Sequence, residues 1–341
     1  MVISHRFFST FLTFSALACA ADPGLLNLVM PDAQVFAGIN VERIAASPIG
    51  KEIGSKIQGA APQIQQILTA TGFDPARDLK EILIAATAQG QNGPALFLIR
   101  GSFDAAKFSS LISSSGQKPE TYHGVQILSN PAQKSGSVAF LDDGIVIGGD
   151  LEQVRAAIRR RTHGTSLSAQ LVSRITDLSD RYAIWFHSSG PVTGSTSSVP
   201  DARFQPASDL LKSIQQISGG VKFSSGVDLA AEIEARSEKD GASVLGALQL
   251  FSGFLTANPQ SPAALKPDAL KLSLEGKTIR IALTITGEQL HKAYEVQMAR
   301  NAGHTADNPV MAKRPRTADP GGLVIQSSDK DMGTVTLSGA K

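Results

Sequence analysis

Cysteine is almost absent from this chain of 341 residues, because Cys19 is the only one. Since Cys19 lies close to the amino terminus, the rest of the chain has no thiol for a disulfide bond, for covalent catalysis or for a cysteine metal site. These three kinds of chemistry are therefore excluded for the body of the protein.

The chain also has no large excess of positive or negative charge and no long apolar run. The formal net charge is +2, so no bulk electrostatic field draws the protein to nucleic acid or to an anionic membrane surface. A helix that spans a bilayer needs roughly 20 apolar residues, and no segment reaches that length without charge. We therefore expect neither a nucleic-acid partner nor a membrane span.

The amino terminus has the pattern of an export signal. Arg6 precedes an apolar run from Phe7 to Ala18, and the small residues Ala18-Cys19-Ala20 follow. This pattern predicts a cleaved signal peptide at 1–20, a mature chain that begins at or near Ala21, and a periplasmic or secreted location. Lipidation of Cys19 is the alternative, and it would anchor the chain to a membrane. Ala16 stands where lipoprotein signals usually have Leu, which favours simple cleavage.

The sequence lacks the usual catalytic motifs. The stretch "AASPIGKE" places Lys51 as in a phosphate-binding loop, but Ala45 replaces the first glycine and Glu52 replaces the hydroxyl residue. A helix start with Ser47 as its cap and Pro48 in its first turn explains the stretch better. No G-x-S-x-G, H-E-x-x-H or G-x-G-x-x-G motif is present, and the histidines are scattered singly. We therefore assign no catalytic residue, no cofactor site and no metal site, and expect a protein that is not an enzyme.

Alternation of apolar and polar residues indicates strands that are covered on one face. Val227 to Arg236 and Thr278 to Ile285 alternate in this way, whereas "EILIAA" and "ALFLI" are continuously apolar and indicate strands covered on both faces. Helical segments lie between these strands. The pattern predicts an α+β fold of mostly antiparallel sheets with helices packed on one side.

The same order of elements occurs twice, which predicts an internal duplication with two similar lobes. Four strand-to-helix passages carry a capping residue, namely Asp104, Asp150, Ser237 and Thr286. We expect Asp104 to correspond to Ser237 and Asp150 to Thr286. The predicted organisation is a first lobe at 25–161, a connecting helix at 162–181, a second lobe at 182–300 and a flexible tail at 301–341, with the functional surface at the junction of the lobes.

Trp185 and His187 are the candidate ligand-binding residues. Trp185 is the only tryptophan, and alternation along a strand puts it on the same face as His187. An aromatic ring beside an ionisable ring is typical of small-molecule pockets, although packing in a core explains Trp185 better.

The stretch "TGFDPARDL", Thr71 to Leu79, resembles a loosely defined family of bacterial exported proteins of unknown function. In this family a helix that ends in T-G is followed by a D-x-x-x-D-L turn and an apolar strand. The resemblance implies an envelope location and no known activity. In physical terms, Asp74 and Asp78 are turn-forming residues on either side of Arg77 rather than an acid and base pair.

These observations favour an exported, non-enzymatic binding or structural protein of a bacterial envelope. One form of this hypothesis is a carrier whose apolar ligand lies between helices and sheet. A second is a protein-interaction module that uses a sheet face or edge to bind an envelope protein, and a third is a cryptic hydrolase. A cavity, a flat apolar patch, or a Ser, a His and an acid within hydrogen-bond reach would distinguish the three.

Overall fold

A computed structural model describes residues 21–51, 68–87, 93–114, 118–129, 135–142, 144–164, 167–190, 210–257, 269–292 and 295. These residues belong to one unit that extends to Val296, and the second unit, Gln297–Lys341, lies outside them. The predicted export signal at 1–20 and the predicted tail at 301–341 therefore also lie outside the described residues.

The described strands form one antiparallel sheet of twelve. Its order is β11-β12-β10-β9-β8-β1-β2-β3-β7-β6-β5-β4, with strand bounds as follows. They are β1 (Val35–Asn40), β2 (Leu79–Ala86), β3 (Ala95–Gly101), β4 (Lys118–Tyr122), β5 (Val125–Ser129), β6 (Ser135–Asp142), β7 (Ile145–Asp150), β8 (Ile184–Ser189), β9 (Ile214–Phe223), β10 (Gly226–Ala235), β11 (Leu270–Glu275) and β12 (Thr278–Thr286).

Helices lie between these strands. The described helices whose ends are both defined are α1 (Pro23–Leu26), α2 (Val41–Ala46), α3 (Pro75–Asp78), α4 (Ala105–Ser114), α5 (Leu151–His163), α6 (Ala169–Arg181) and α7 (Glu238–Ala257). Residues 287–292 begin a further helix after β12. The predicted α+β class is confirmed.

The duplication is visible in the order of strands. From the centre of the sheet outward, the first half reads β1, β2, β3, β7, β6 and the second half reads β8, β9, β10, β12, β11. In both halves a helix follows the third strand. The strand that comes last in the chain, β7 in the first half and β12 in the second, pairs with that third strand. Val35–Asn40 and Ile184–Ser189 are therefore equivalent first strands, and they pair with each other so that the halves share one sheet.

The extra element of the first half is a hairpin of two strands, β4 and β5. The sequence pattern alone predicts that the first half has one extra strand, near Ile145, but β7, which begins there, is the counterpart of β12. β4 was missed because "KPETY" contains a proline and no apolar alternation. Its pairing with β5 across His123 and Gly124, both in left-handed backbone, defines it as a strand.

A second difference concerns Ile214 to Ile217, because the sequence predicts a helix from Ala207 to Ile217. The structure has helix at 210–212 and a strand from Ile214. β10 offers ten residues for pairing, and Ile217 lies opposite Ile233 while Ile214 lies opposite Ala235. Because this ladder satisfies the backbone along the whole of β9, pairing overrides the helical periodicity.

Three of the four predicted caps form a side-chain hydrogen bond. The backbone N–H of Lys107 donates to Asp104 Oδ1 at 3.1 Å, and that of Asp240 donates to Ser237 Oγ at 3.1 Å. The third such bond runs from the Gln289 N–H to Thr286 Oγ1 at 3.3 Å. Asp150 is the exception, since it is the N-cap of α5 but its carboxylate accepts no bond from the first turn.

One face of the sheet carries the main core, and we call it the Trp185 face. Trp185 and Phe36 project from it and pack with apolar residues of α1, α5 and α6. α6 lies over β8 and β9, so it fills the junction of the two halves on this face. The principal helical contributors are Leu25, Leu26, Val154, Ala157, Ile158, Ile175 and Leu178.

The opposite face, which we call the Phe97 face, has a helix at each end, so helices pack on both faces of the sheet rather than on one side as the sequence predicts. α4 contacts it through Phe108, whose ring centroid is 6.0 Å from that of Phe140 on β6. α7 contacts it through Val244, which packs with Ile233 and Ile279. On β10 to β12, α7 thus covers the apolar face, as the alternation predicts, and the other face is polar.

Candidate functional site

Trp185 lies in the core rather than beside a cleft. It is 1% exposed, and its indole ring lies against Gly38 of β1, where a Cβ atom would meet ring atoms at 2.2 Å. Because glycine has no side chain, the indole ring occupies the space that a Cβ atom would take. The structure therefore places Trp185 as a packing residue between the two halves.

His187 lies on the same face, as alternation predicts, and is 3% exposed. Its Nδ1 atom has no hydrogen-bond partner within the described part of the chain. Burial lowers the pKa of the His187 imidazole, and the positive charge of Arg174 lowers it further. His187 is therefore held in its neutral form.

A serine and a carboxylate share the row of His187. Ser218 on β9 lies opposite His187, and Glu232 on β10 lies opposite Ser218. In a hydrolytic triad the histidine lies between the serine and the acid, whereas here the serine is in the middle. Glu232 also faces two cations, Arg174 at 3.6 Å and Arg280 at 3.5 Å. This order of side chains does not form a catalytic relay.

The Phe97 face carries an apolar row across the entire sheet. One row contains a residue from every strand, and none of the twelve has a polar side chain. The row consists of Leu272, Ile281, Ala231, Gly219, Phe186, Ala37, Ile84, Phe97, Gly148, Val138, Leu128 and Pro119.

A parallel row on the same face is apolar across ten strands. It consists of Leu270, Leu283, Leu229, Val221, Ile184, Ile39, Ile82, Ile99, Val146 and Phe140. The side chains of both rows carry no polar group, and the strands use their backbone groups in the ladder. These two rows therefore offer apolar contact and few hydrogen bonds.

The middle of the Phe97 face is incompletely covered. Phe97 is 46% exposed and Val35 is 36% exposed, and Phe186 and Ile84 beside them are partly exposed. The five strands from β9 to β3 occupy this region and together span about 19 Å at the usual strand spacing. We call this region between α4 and α7 the apolar trough. It lies at the junction of the two halves, on the side opposite α6.

The α4 end of the trough is closed by an aromatic cluster. The rings of Phe73 and Phe103 stack at 5.4 Å, and Phe108 meets both edge-on at 5.5 and 6.1 Å. A cleft of about 740 Å³ opens beside these rings, and its lining includes Asp78 and Asp104.

The turn motif at this cleft has a structural role. Asp74 Oδ1 accepts the N–H of Ala76, and Asp78 Oδ2 accepts the N–H of Asp74. Arg77 donates two bonds of 2.6 Å to Asp78, and this pairing lowers the pKa of the Asp78 carboxyl to about 2. Both aspartates thus form the turn, as the sequence predicts, and Asp78 remains ionised at neutral pH.

The α7 end of the trough is strongly apolar. Val244 and Leu248 pack on the sheet, but Phe251, on the same stripe of the helix as Val244, is 60% exposed. Leu250 beside it is 80% exposed. No helix in the described part of the chain is both long and apolar enough to cross a membrane. α7 therefore carries an apolar surface of its own next to the trough.

The stretch around Lys51 is a capped helix start. Gly50 donates its N–H to Ser47 Oγ at 2.9 Å, as the sequence predicts, and Ile49 is buried. Glu52 lies outside the described residues. A second cleft of about 600 Å³ lies nearby and is lined by Pro48, Ile49, Ser225, Gly287, Glu288, His291, Lys292 and Glu295.

Metal binding has no visible basis in the described ranges, where no three His, Cys, Asp or Glu side chains gather to hold an ion.

Phe97, Val35, Leu250 and Phe251 are the site residues that sequence reasoning missed. "ALFLI" indicated a strand covered on both faces, and that pattern does not say which residue remains open. The available signal was in α7, because "LQLFSGFL" is apolar beyond the width of a single helical stripe.

Comparison with known proteins adds similarity of fold. The sequence matches no protein-family model and no curated protein. The structure is similar to that of TP0453 in crystal form III, with a TM-score of 0.49 and 12% identity over 79% of this chain and 96% of that chain. For crystal form I the TM-score is 0.47, with 13% identity over 81% of this chain and 98% of that chain. Similarity at this level extends to neither ligand nor activity.

Proposed function

We propose that this chain is an exported, non-enzymatic binding protein that carries an elongated apolar ligand in the apolar trough, which is an open surface between α4 and α7 rather than an enclosed cavity. The observation that supports the proposal is the unbroken apolar row across all twelve strands, with Phe97 exposed near its middle. Monomeric soluble proteins rarely leave such a surface without a partner or ligand.

The chemistry of the trough favours an apolar ligand over a polar one. The central strands satisfy their backbone groups in the ladder, and the side chains of the row have no donors or acceptors. A ligand there contacts an apolar surface about 19 Å wide and forms few hydrogen bonds. Specificity then depends on shape and length.

The export part of the proposal depends on the signal-like segment at 1–20, which lies outside the described residues. The resemblance of Thr71 to Leu79 to bacterial exported proteins supports the same location. Periplasmic or secreted placement would bring the trough into contact with the apolar molecules of the envelope.

The most informative experiment is native mass spectrometry of protein purified from its own envelope. The carrier proposal predicts a protein that retains an apolar molecule, with the added mass lost after extraction by organic solvent. A protein with no added mass, even under gentle desolvation, would contradict it.

A protein-interaction module is the second candidate, because Leu250 and Phe251 are too exposed to line a small-molecule site. Exposed aromatic and aliphatic residues side by side are typical of protein interfaces. The variants Phe97→Thr and Leu250→Gln distinguish the two candidates. A carrier loses ligand mass with Phe97→Thr, whereas an interaction module loses an associated protein with Leu250→Gln.

A further inference from the structure

The backbone nitrogen of Ala21 lies in a built polar site. Ala21 is 2% exposed, and its N–H donates to Ser179 Oγ at 2.7 Å. The Ser179 hydroxyl is itself buried and donates to the carbonyl of Thr176 at 2.8 Å. The first described residue of the chain is thus fixed by a hydrogen bond to a residue 158 positions later.

A carboxyl group contacts the next backbone nitrogen along the chain, that of Asp22. Glu81 Oε2 accepts the N–H of Asp22 at 3.2 Å. Burial raises the pKa of Glu81 to about 7. The negative charge of this carboxylate is therefore not fully stabilised by the positive groups around it. The other charged groups around it are Asp22 and Arg100, and these two pair with each other at 2.6 Å.

The end of α6 contributes a second attraction for positive charge. Ser179 lies in the last turn of this helix, where the carbonyl groups form the negative end of the helix dipole. Arg43 already uses that end, since its Nη1 donates to the carbonyls of Ser179 and Asp180 at 2.8 and 3.0 Å. This end of α6 therefore accepts hydrogen bonds from a cation.

We propose that Ser179, Glu81 and the end of α6 form a receptor for the α-amino group that is created when the chain is cut between Ala20 and Ala21. Hydrolysis by a peptidase adds the hydroxyl of water to the Ala20 carbonyl carbon and its hydrogen to the Ala21 nitrogen. The released amine takes up a proton at neutral pH. It keeps the bond to Ser179 and gains two further donors and a positive charge beside Glu81.

The receptor links processing to stability. A peptide nitrogen at this position has one donor and no charge, whereas the ammonium can pair with the carboxylate and with the helix end. A mature chain that begins at Ala21 is therefore fixed more firmly than one that begins upstream. A chain lipidated at Cys19 keeps the peptide bond before Ala21 and lacks this interaction.

The test compares a chain that begins at Ala21 with a matched chain that begins at Ala20. Both are treated at neutral pH with an amine-acylating reagent, and the labelled amino-terminal peptide is measured by mass spectrometry over time. The amine of Ala21 should react at least about tenfold more slowly than that of Ala20, because its acylation requires local opening. Its melting temperature should also be higher by about 2–4 °C.

The variant Ser179→Ala supplies the control. In the Ala21 chain it should speed the labelling, and in the Ala20 chain it should leave the labelling rate unchanged. Equal labelling of the two starting chains would overturn the proposal whether or not the variant folds. Recovery of a lipidated Cys19 from the native envelope would overturn it as well, and recovery of a free Ala21 would support it.

Discussion

Gly38 and Trp185 occupy adjacent central strands so closely that a methyl group on Gly38 would meet the indole ring at 2.2 Å. The two residues belong to different halves of the duplication, and their contact lies at the junction of the halves.

Gly38→Ala should destabilise the protein by about 1–3 kcal/mol, because the indole is enclosed and cannot move aside without strain. Urea unfolding followed by tryptophan fluorescence measures the change. Gly246→Ala in α7 is the matched control, since a Cβ atom there meets nothing within 4 Å. The control should stabilise the protein by up to about 1 kcal/mol, and similar losses in both variants would contradict the packing argument.

His187 should contribute a loss of stability in mild acid, opposite in sign to the contribution of Glu81, whose raised pKa of about 7 stabilises the protein as the pH falls. Its pKa is lowered in the folded state, so below the ordinary histidine pKa of about 6.5 the unfolded chain binds a proton that the folded chain does not. The contribution of neutral His187 to stability is therefore lost as the pH falls below about 6.5, and Arg174 opposes protonation further. Urea unfolding of the wild-type protein and of His187→Leu at pH 7.5 and 5.5 isolates the His187 contribution, because Glu81 is common to both proteins.

His187→Leu should remove most of this loss, because it also removes the unpartnered buried Nδ1 atom. His123→Asn is the control, since His123 is exposed and asparagine tolerates its left-handed backbone. If the control flattened the pH profile as much as His187→Leu, the buried imidazole would not be its source.

The two kinds of cap should differ in energy. Ser237→Ala removes an oxygen that accepts the Asp240 N–H and should cost about 1 kcal/mol. Asp150→Ala removes no such bond and should cost about 0.3–0.5 kcal/mol through the charge at the start of α5. Thermal unfolding of the two variants compares them, and a larger loss at Asp150 would show that its carboxylate caps the helix in solution.

The fold could be predicted where local patterns act alone. Alternation along β10 and β12 and the caps at Asp104 and Ser237 depend on neighbours in sequence, and they predicted both the class and the duplication. β4 was missed because its pairing with β5 defines it, and the start of β9 was missed because β10 pairs with it over nine residue pairs.

The site was harder to predict than the fold. Alternation placed Trp185 and His187 on one face correctly, but it could not show that α6 buries that face. The exposure of Phe97 depends on how far α4 and α7 extend over the sheet, which is a property of tertiary packing. Residues that are apolar in sequence are equally suited to a core and to an open trough.

The central claim, that the apolar trough binds an apolar ligand, is tested most directly by titrating a fluorescent long-chain fatty acid into the wild-type protein and two variants. Phe97→Thr keeps a strand-forming residue and should weaken binding about tenfold, because an exposed ring supplies about 1.5 kcal/mol of apolar contact. Leu250→Gln, which removes a more exposed apolar side chain outside the trough, should leave the affinity unchanged. Binding that is unaffected by Phe97→Thr, or absent from the wild-type protein, would contradict the account.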